Sequence, residues 1–204
     1  SRTGSGGGIH GFLQGAYGGW TEAPLAIPAS SSYSKLILQD INQDGWPDLL
    51  AGGWAPQGGA GVSLWLGDAS GWAVGAGSPR PYAAASWTAG PPPTTTGAFA
   101  SVAVGDFNND GLLDVAAGDN AGGGARAWRN AGVRQSVGTW TPALPPTTTG
   151  SLRALAVGDL NRDGHLDIVA ARPEGGVTSW LGDGGNSWTE CSLGFYGAAI
   201  TGTY

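Results

Sequence analysis

One nine-residue pattern occurs three times in the chain and constrains its fold more than any other feature. The pattern is D-x-N-x-D-G-x-x-D, and it occupies residues 40–48, 106–114 and 159–167. Other marks recur in step with it: a PPTTTG segment ends at residues 97 and 150, and a Trp-Thr pair begins at residues 20, 87, 140 and 188. Such self-similarity is typical of a repeat architecture, in which each unit buries its apolar surface against its neighbours.

Each repeat predicts four short strands. An apolar segment enters the acidic loop, as SVAV does before Asp106, and a second one leaves it, as VAAG does after Asp114. A Gly-rich turn leads to a third apolar segment, and a fourth begins near the Trp-Thr pair. Short apolar runs bounded by Gly, Pro and Asn are typical of strands and not of helices. The sequence therefore predicts an all-β fold, a β-propeller of four-stranded antiparallel blades.

The two ends of the chain predict partial units. Residues 7–21 align without gaps on residues 175–189, so the chain begins at the third strand of a unit, and residues 194–203 match residues 150–159. We expect a single domain over residues 1–204, with repeats at approximately 7–28 (partial), 33–90, 98–143, 151–190 and 193–204 (partial). Three complete repeats and a composite blade from the terminal strands make four blades if the ring closes within one chain. The composite blade would lack its second strand, and an exposed strand edge invites pairing with a neighbouring chain.

The acidic loops predict three Ca²⁺ sites. Carboxylate and amide oxygens at alternate positions are hard ligands, which suit Ca²⁺ and are poor for zinc or copper. The glycine at position 6 permits a sharp turn, and position 7 supplies a backbone carbonyl. An EF-hand would need an acidic residue at position 12, where this chain has Ala51, Ala117 and Ala170. The predicted ligands, with the position-7 residue contributing its carbonyl, are Asp40, Asn42, Asp44, Trp46 and Asp48; Asp106, Asn108, Asp110, Leu112 and Asp114; Asp159, Asn161, Asp163, His165 and Asp167.

The charge balance supports bound cations. The net charge is −6, nine of the fifteen acidic residues lie in the three loops, and three Ca²⁺ would bring the formal charge to zero. Like charges this close together oppose folding unless a cation offsets them. The alternative is three solvated turns that bind no metal. No basic cluster is present, so a nucleic-acid partner is not expected.

The three motifs, each followed by an apolar run (DLLAGG, DVAAGD and DIVAAR), resemble the FG-GAP / VCBS repeat family, the calcium-binding blades of integrin α-like propellers. The resemblance extends from about Gly7 to Gly202. It implies calcium loops between the first and second strands of each blade, in secreted or cell-surface proteins that act in adhesion, ligand binding or lectin activity. The chain departs from the family in having only three complete motifs, fewer than a six- or seven-bladed ring requires.

Two sets of aromatic residues recur with the repeat. Trp65, Trp128 and Trp180, with Phe12, lie on the third strand, and Trp20, Trp87, Trp140 and Trp188 begin the fourth. Large aromatics at equivalent positions usually fill the space between blades, which we expect for the third-strand set. For the fourth-strand set, packing and exposed platforms that stack on sugar rings are both open. These four tryptophans are the candidate ligand-binding residues.

The sequence offers little for catalysis, and we predict that the protein is not an enzyme. Its two histidines, His10 and His165, show no triad spacing, and no apolar run reaches the roughly 20 residues that span a bilayer. The predicted function is a secreted or cell-surface calcium-stabilised binding or adhesion module for a glycan or protein ligand. The alternatives are an assembly subunit, forming a homo-oligomer by strand exchange through its terminal strands, and, ranked lower, an accessory domain of a secreted enzyme.

Overall fold

The computed structural model of the chain describes residues 9, 11–14, 18–23, 32–53, 61–68, 87–143, 146, 149–185 and 187–191. These residues form strands and turns, and none of them lies in a helix that could cross a membrane. The strands, in chain order, are β1 Gly11–Gln14, β2 Trp20–Ala23, β3 Tyr33–Gln39, β4 Asp48–Gly53, β5 Val62–Leu66, β6 Thr88–Ala89, β7 Phe99–Gly105, β8 Asp114–Asp119, β9 Gly124–Asn130, β10 Trp140–Pro142, β11 Ala154–Gly158, β12 Asp167–Ala171, β13 Val177–Gly182 and β14 Trp188–Cys191.

Three four-stranded antiparallel sheets follow one another along the chain. Blade 1 is β3–β6, blade 2 is β7–β10 and blade 3 is β11–β14, and within each blade every strand pairs with the next one in sequence. Strands β1 and β2 form a separate two-stranded hairpin, the N-terminal hairpin. The all-β, propeller-like prediction is confirmed, with the strands of each repeat in the predicted order. The partial repeat predicted at 193–204 lies outside the described residues, and closure of the ring stays a prediction.

Each blade has two different apolar faces, because successive side chains of a strand point to opposite sides. We call the face toward the preceding unit the leading face and the face toward the following unit the trailing face. The first core joins the trailing face of blade 1 to the leading face of blade 2. Its buried members are Ile41, Leu50, Val62 and Leu64 from blade 1, with Phe99, Val102, Val115, Ala117 and Trp128 from blade 2.

The second core repeats this arrangement one blade further on. The trailing face of blade 2 contributes Phe107, Ala116 and Ala125, and the leading face of blade 3 contributes Leu152, Ile168, Ala170 and Trp180. A third, smaller cluster lies on the leading face of blade 1 and consists of Leu49, Ala51 and Trp65, with Ile9, Tyr33 and Trp87 packed against it. Ile9, two residues before the N-terminal hairpin, thus contacts the leading face of blade 1.

The third-strand tryptophans anchor the leading faces. Trp65, Trp128 and Trp180 are 7%, 5% and 0% exposed, which confirms the predicted packing role for these three. Phe12, which was expected to pack in the same way, is 52% exposed, so the prediction is wrong for this residue. Tyr33 meets Trp65 edge to face with ring centroids 5.7 Å apart and an interplanar angle of 82°, and the equivalent pair in blade 2 has the same separation and angle. This geometry is favourable for aromatic rings. Two successive blades are thus packed in the same way.

Glycines at two equivalent positions allow neighbouring blades to pack closely. A Cβ atom at Gly52 would lie 2.9 Å from the carbonyl oxygen of Phe99, and one at Gly118 would lie 3.1 Å from the Cβ of Leu152. Glycine on the second strand therefore lets the first strand of the following blade approach closely. In blade 3 the equivalent position is Ala171.

Candidate metal loops

The three acidic loops connect the first and second strands of their blades, as predicted. They lie between β3 and β4, β7 and β8, and β11 and β12. Each loop turns sharply through two residues with positive φ. Position 4 has φ of 59°, 58° and 63°, and the glycine at position 6 has φ of 94°, 86° and 87°. A Cβ atom at the three glycines would meet nothing within 4 Å. Glycine is therefore required here by the left-handed backbone and not by lack of space.

Side-chain oxygens at positions 1 and 3 converge on one backbone amide. In the first loop the N–H of Asp44 donates to Oδ1 of Asp40 at 3.0 Å and to Oδ1 of Asn42 at 3.1 Å. The N–H of Asp110 makes the same two bonds at 3.0 and 3.2 Å, and that of Asp163 at 3.2 and 3.1 Å. The position-1 and position-3 oxygens thus lie around the same turn in all three loops.

The carboxylate at position 5 belongs to the same group. Its Oδ2 accepts from the side-chain amide of the position-3 asparagine at 3.0, 2.8 and 2.7 Å in the three loops. Its Oδ1 accepts from the N–H at position 7 at 2.8 Å, and the residues at that position are Trp46, Leu112 and His165. The structure therefore brings positions 1, 3 and 5 of each predicted site together on one turn.

Position 9 has a different environment. Asp48, Asp114 and Asp167 are all 0% exposed. One oxygen of each accepts the N–H at position 2 of its loop, at 2.8, 3.1 and 2.7 Å. The other accepts an N–H near the end of the third strand, at 2.9 Å in each blade. This carboxylate ties the loop to the third strand, a role that the sequence analysis missed. One feature of the sequence could have indicated this role, because position 9 is the first residue of the apolar second strand.

Burial and hydrogen bonding shift the pKa values of several acidic residues. Burial raises the pKa of Asp114 to about 6, although the N–H groups of Asn130 and Phe107 oppose the shift. Burial also raises the pKa of Asp48, against three backbone N–H groups. The pKa of Asp163 is lowered, chiefly by the N–H of His165. The pKa values of the buried Asp48 and Asp114 and of the exposed Asp163 are thus shifted in opposite directions.

The donor set suits a hard cation. Carboxylate and amide oxygens at positions 1, 3 and 5 are the atoms that Ca²⁺ prefers, and their carboxylates are held by backbone amides of the same turn. Among the residues that the structure describes, no three His, Cys, Asp or Glu side chains are gathered as a ready metal-binding group. Only two carboxylates and an amide gather on each turn, while both oxygens of the third carboxylate, at position 9, bind backbone N–H groups.

Neighbouring loops also contact one another. The side-chain amide of Gln43 donates to the carbonyl oxygen of Gly111 at 2.7 Å. The side-chain nitrogen of Asn109 lies 2.8 Å from Nδ1 of His165. In both cases a position-4 side chain of one loop reaches the next loop. This link was not predicted from the sequence, although a polar residue stands at position 4 of every loop.

The candidate ligand-binding tryptophans lie in two environments. Trp140 and Trp188 pack against the first and second cores, and the indole N–H of Trp140 donates to the carbonyl oxygen of Pro91 at 2.7 Å. Trp87 packs on the leading face of blade 1. Trp20, in the N-terminal hairpin, is 66% exposed. Of the four, Trp20 has the most open ring.

Comparison with known protein families agrees with the repeat. A family model described as an FG-GAP-like repeat matches residues 40–117 and, overlapping them, residues 106–170. The two matches together span more than half of the chain and include all three acidic loops. A search of curated proteins finds no significant match.

Proposed function

Because the chain belongs to the FG-GAP-like repeat family, we propose that it is a calcium-stabilised, propeller-like binding module of the extracellular space or cell surface. The repeats themselves suggest a propeller-like binding module. Calcium binding, the extracellular or cell-surface location and the nature of the ligand are further parts of our proposal. Extracellular calcium modules typically have Kd values of about 10⁻⁴ to 10⁻³ M, which suits open loops of this kind.

The observation that carries the calcium proposal is the repetition of one oxygen arrangement in three loops. In each loop, positions 1 and 3 share the position-5 N–H within a narrow range of distances, and position 5 adds a second carboxylate. Asx turns that served only the backbone would not need the same three residue types each time. A Ca²⁺ ion bound there would neutralise charges that otherwise repel one another, and would thereby stabilise the hairpin between the first two strands of each blade.

Chelation tests this proposal. We expect EDTA to lower the melting temperature by about 5–10 °C or more, since a ligand at 100 times its Kd stabilises by about 2.7 kcal/mol per site. Added Ca²⁺ should restore the melting temperature, and calorimetric titration should find three sites. Replacing both Asp106 and Asp110 by Asn should remove one site, while Glu174→Gln, an exposed acidic residue outside the loops, should leave all three. Zero bound calcium together with an unchanged melting temperature would refute the metal assignment.

The nature of the ligand is a separate part of the proposal. The family's adhesion and lectin roles favour a glycan or a protein, and the exposed ring of Trp20 offers the stacking surface that a sugar requires. A glycan array with Trp20→Ala should show loss of any signal that depends on this ring. Trp140→Ala, which alters a ring packed against the first core, serves as the comparison. An array with no binding by the parent protein would remove the glycan ligand and leave the calcium proposal standing.

A further inference from the structure

Backbone strain in the described part of the chain lies at the contacts of the acidic loops. The residues other than glycine that have positive φ there are Gln43, Asn109 and Arg162, at position 4 of the three loops, and Gln135, in the loop after β9. The N–H of Gln135 donates to the carbonyl oxygen of Asn42, in the first acidic loop, at 2.6 Å. A left-handed conformation is unfavourable for residues with a Cβ atom, and such strain persists only where surrounding contacts hold it.

Position 4 directs a side chain from one acidic loop to the next. We call the loops at residues 40–48, 106–114 and 159–167 loops 1, 2 and 3. Gln43 of loop 1 donates its side-chain amide to the carbonyl oxygen of Gly111 in loop 2 at 2.7 Å, and Asn109 of loop 2 lies 2.8 Å from Nδ1 of His165 in loop 3. These contacts join residues 68 and 56 positions apart, so they do not serve the local turns. The three predicted sites are therefore connected in series.

The Gly111 carbonyl determines the orientation of the Gln43 amide. Oε1 of Gln43 is buried and has no hydrogen-bond donor among the described residues, so no second bond competes for this side chain. The reversed amide would place its oxygen against the Gly111 carbonyl oxygen, which is repulsive. Gly111 has φ of 86°, so the direction of its carbonyl depends on the sharp turn of loop 2. The link from loop 1 thus requires that loop 2 hold its observed turn.

Both links end on residues that hold predicted calcium ligands. The N–H of Gly111 donates to Oδ2 of Asp106, at position 1 of loop 2, at 2.8 Å. The N–H of His165 donates to Oδ1 of Asp163, at position 5 of loop 3, at 2.8 Å. The position-4 side chain of the preceding loop contacts the same residue in each case. A position-4 side chain therefore lies one residue away from the ligand carboxylates of the next loop.

We propose that Gln43 and Asn109 couple the three acidic loops, so that calcium bound in one loop raises the calcium affinity of its neighbour. Such coupling rests on the proposed calcium binding and adds a regulatory property to the same sites. A hydrogen bond between two loops forms fully only when both turns are in place. A loop that is already fixed by its ligand therefore lowers the entropy cost of ordering the next one. The effect is reciprocal between neighbours, because it is a coupling free energy.

A Ca²⁺ titration followed by NMR reads each loop separately. The position-6 glycines of loops 1, 2 and 3 are Gly45, Gly111 and Gly164. Each donates its N–H to the position-1 carboxylate, at 2.8, 2.8 and 3.0 Å. Their amide resonances therefore report on the oxygen cluster of their own loop. We expect the three signals of the parent chain to respond over a narrower range of Ca²⁺ concentration than independent sites would require.

Replacing both Asp40 and Asp44 by Asn should leave loop 1 without calcium. The loop then keeps one negative charge, which is also the formal charge of three carboxylates with one Ca²⁺ ion. Loss of affinity at loop 2 is therefore not an effect of net charge. We expect the Ca²⁺ concentration that half-saturates the Gly111 signal to rise by about twofold to tenfold, the effect of one ordinary hydrogen bond. Circular dichroism and thermal melting establish that each variant is folded.

The same double substitution in a Gln43→Gly background isolates the link. Glycine accepts positive φ, so this change removes the side chain without adding backbone strain. In this background, loss of loop 1 should shift the Gly111 midpoint by less than about twofold. Gln39→Ala is the matched control, because it removes an exposed glutamine of β3 outside the loops and should leave the full shift. Asn109→Gly should in the same way uncouple the Gly164 signal from loop 2.

The outcomes separate the coupling from the calcium binding on which it rests. If the parent's glycine signals respond to Ca²⁺ but loss of loop 1 leaves the Gly111 midpoint unchanged, the sites are independent, and only the coupling is refuted. A full-sized shift in the Gln43→Gly background would also overturn the role of this side chain. A purely structural Gln43 would change the melting temperature and leave the dependence of one loop on another intact. No response at any of the three glycines would refute calcium binding, and the coupling with it.

Discussion

At the scale of single residues, the last aspartate of the motif has a structural role in each blade. Asp48 is fully buried, and its carboxylate accepts the backbone N–H groups of Ile41, Asn42 and Gly67. A buried carboxylate is costly unless its oxygens are hydrogen-bonded, and here three donors satisfy it. The motif could show that an acidic residue stands at this position. It could not show that the carboxylate bonds to the third strand as well as to its own loop, because that depends on the path of the third strand.

We expect Asp48→Ala to destabilise the protein even in the presence of EDTA. The substitution leaves three backbone N–H groups without their acceptor, and each buried unsatisfied group costs about 1–3 kcal/mol. Three such groups cost about 3 kcal/mol at the least, and for a chain of this length the melting temperature should therefore fall by about 6 °C or more. Thermal melting of the chelated protein measures this. The exposed Asp183→Ala, which removes the acceptor for Gly185 and Ser187 in a turn, is the control and should have a smaller effect. An unchanged melting temperature for Asp48→Ala would mean that this carboxylate matters only with metal.

At the scale of strands and blades, most of the fold could be predicted from the sequence. The repeated motif and the apolar segments around it predicted four strands in each unit. They also predicted that each acidic loop lies between the first two strands, as the structure has it. The sequence could not predict which face of a blade meets the preceding blade and which meets the following one. The alternation of side chains along a strand shows only that the two faces differ. This also explains why the roles of Trp140 and Trp188 stayed open. Their packing depends on contacts between a fourth strand and the preceding blade.

Gly118→Val tests the close contact between blades. A side chain at this position would press on Leu152 and Leu155, and overpacking of this kind typically costs about 1–3 kcal/mol. The expected fall in melting temperature is about 2–10 °C. Ala171→Val makes a similar change at the equivalent position of blade 3, where the trailing face is open, and should cost much less in the monomer. Equal effects of the two substitutions would show that closeness between blades is not what requires the glycine.

At the scale of the whole molecule, the structure is a row of units in which each blade's core contacts come from its immediate neighbours. Stability in such an arrangement is approximately a sum of unit and interface terms, and local opening begins at the ends. Among the three blades as far as the structure describes them, blade 2 has both of its faces in an interblade core, and its second strand, Asp114–Asp119, is buried throughout. The N-terminal hairpin, with its exposed rings, is the opposite case.

Hydrogen exchange should therefore be slowest in β8 and fastest in the N-terminal hairpin, with blades 1 and 3 between them. Exchange measured by mass spectrometry on dilute, monomeric protein checks this gradient. Uniform protection across all blades would indicate one global unfolding unit and would contradict the nearest-neighbour description.

The repeated aromatic pair of 5.7 Å and 82° has a consequence for how such a chain can change in length. Both described interblade cores join a trailing face to a leading face, so a whole unit duplicated at a linker would present the matching kind of face to each of its neighbours.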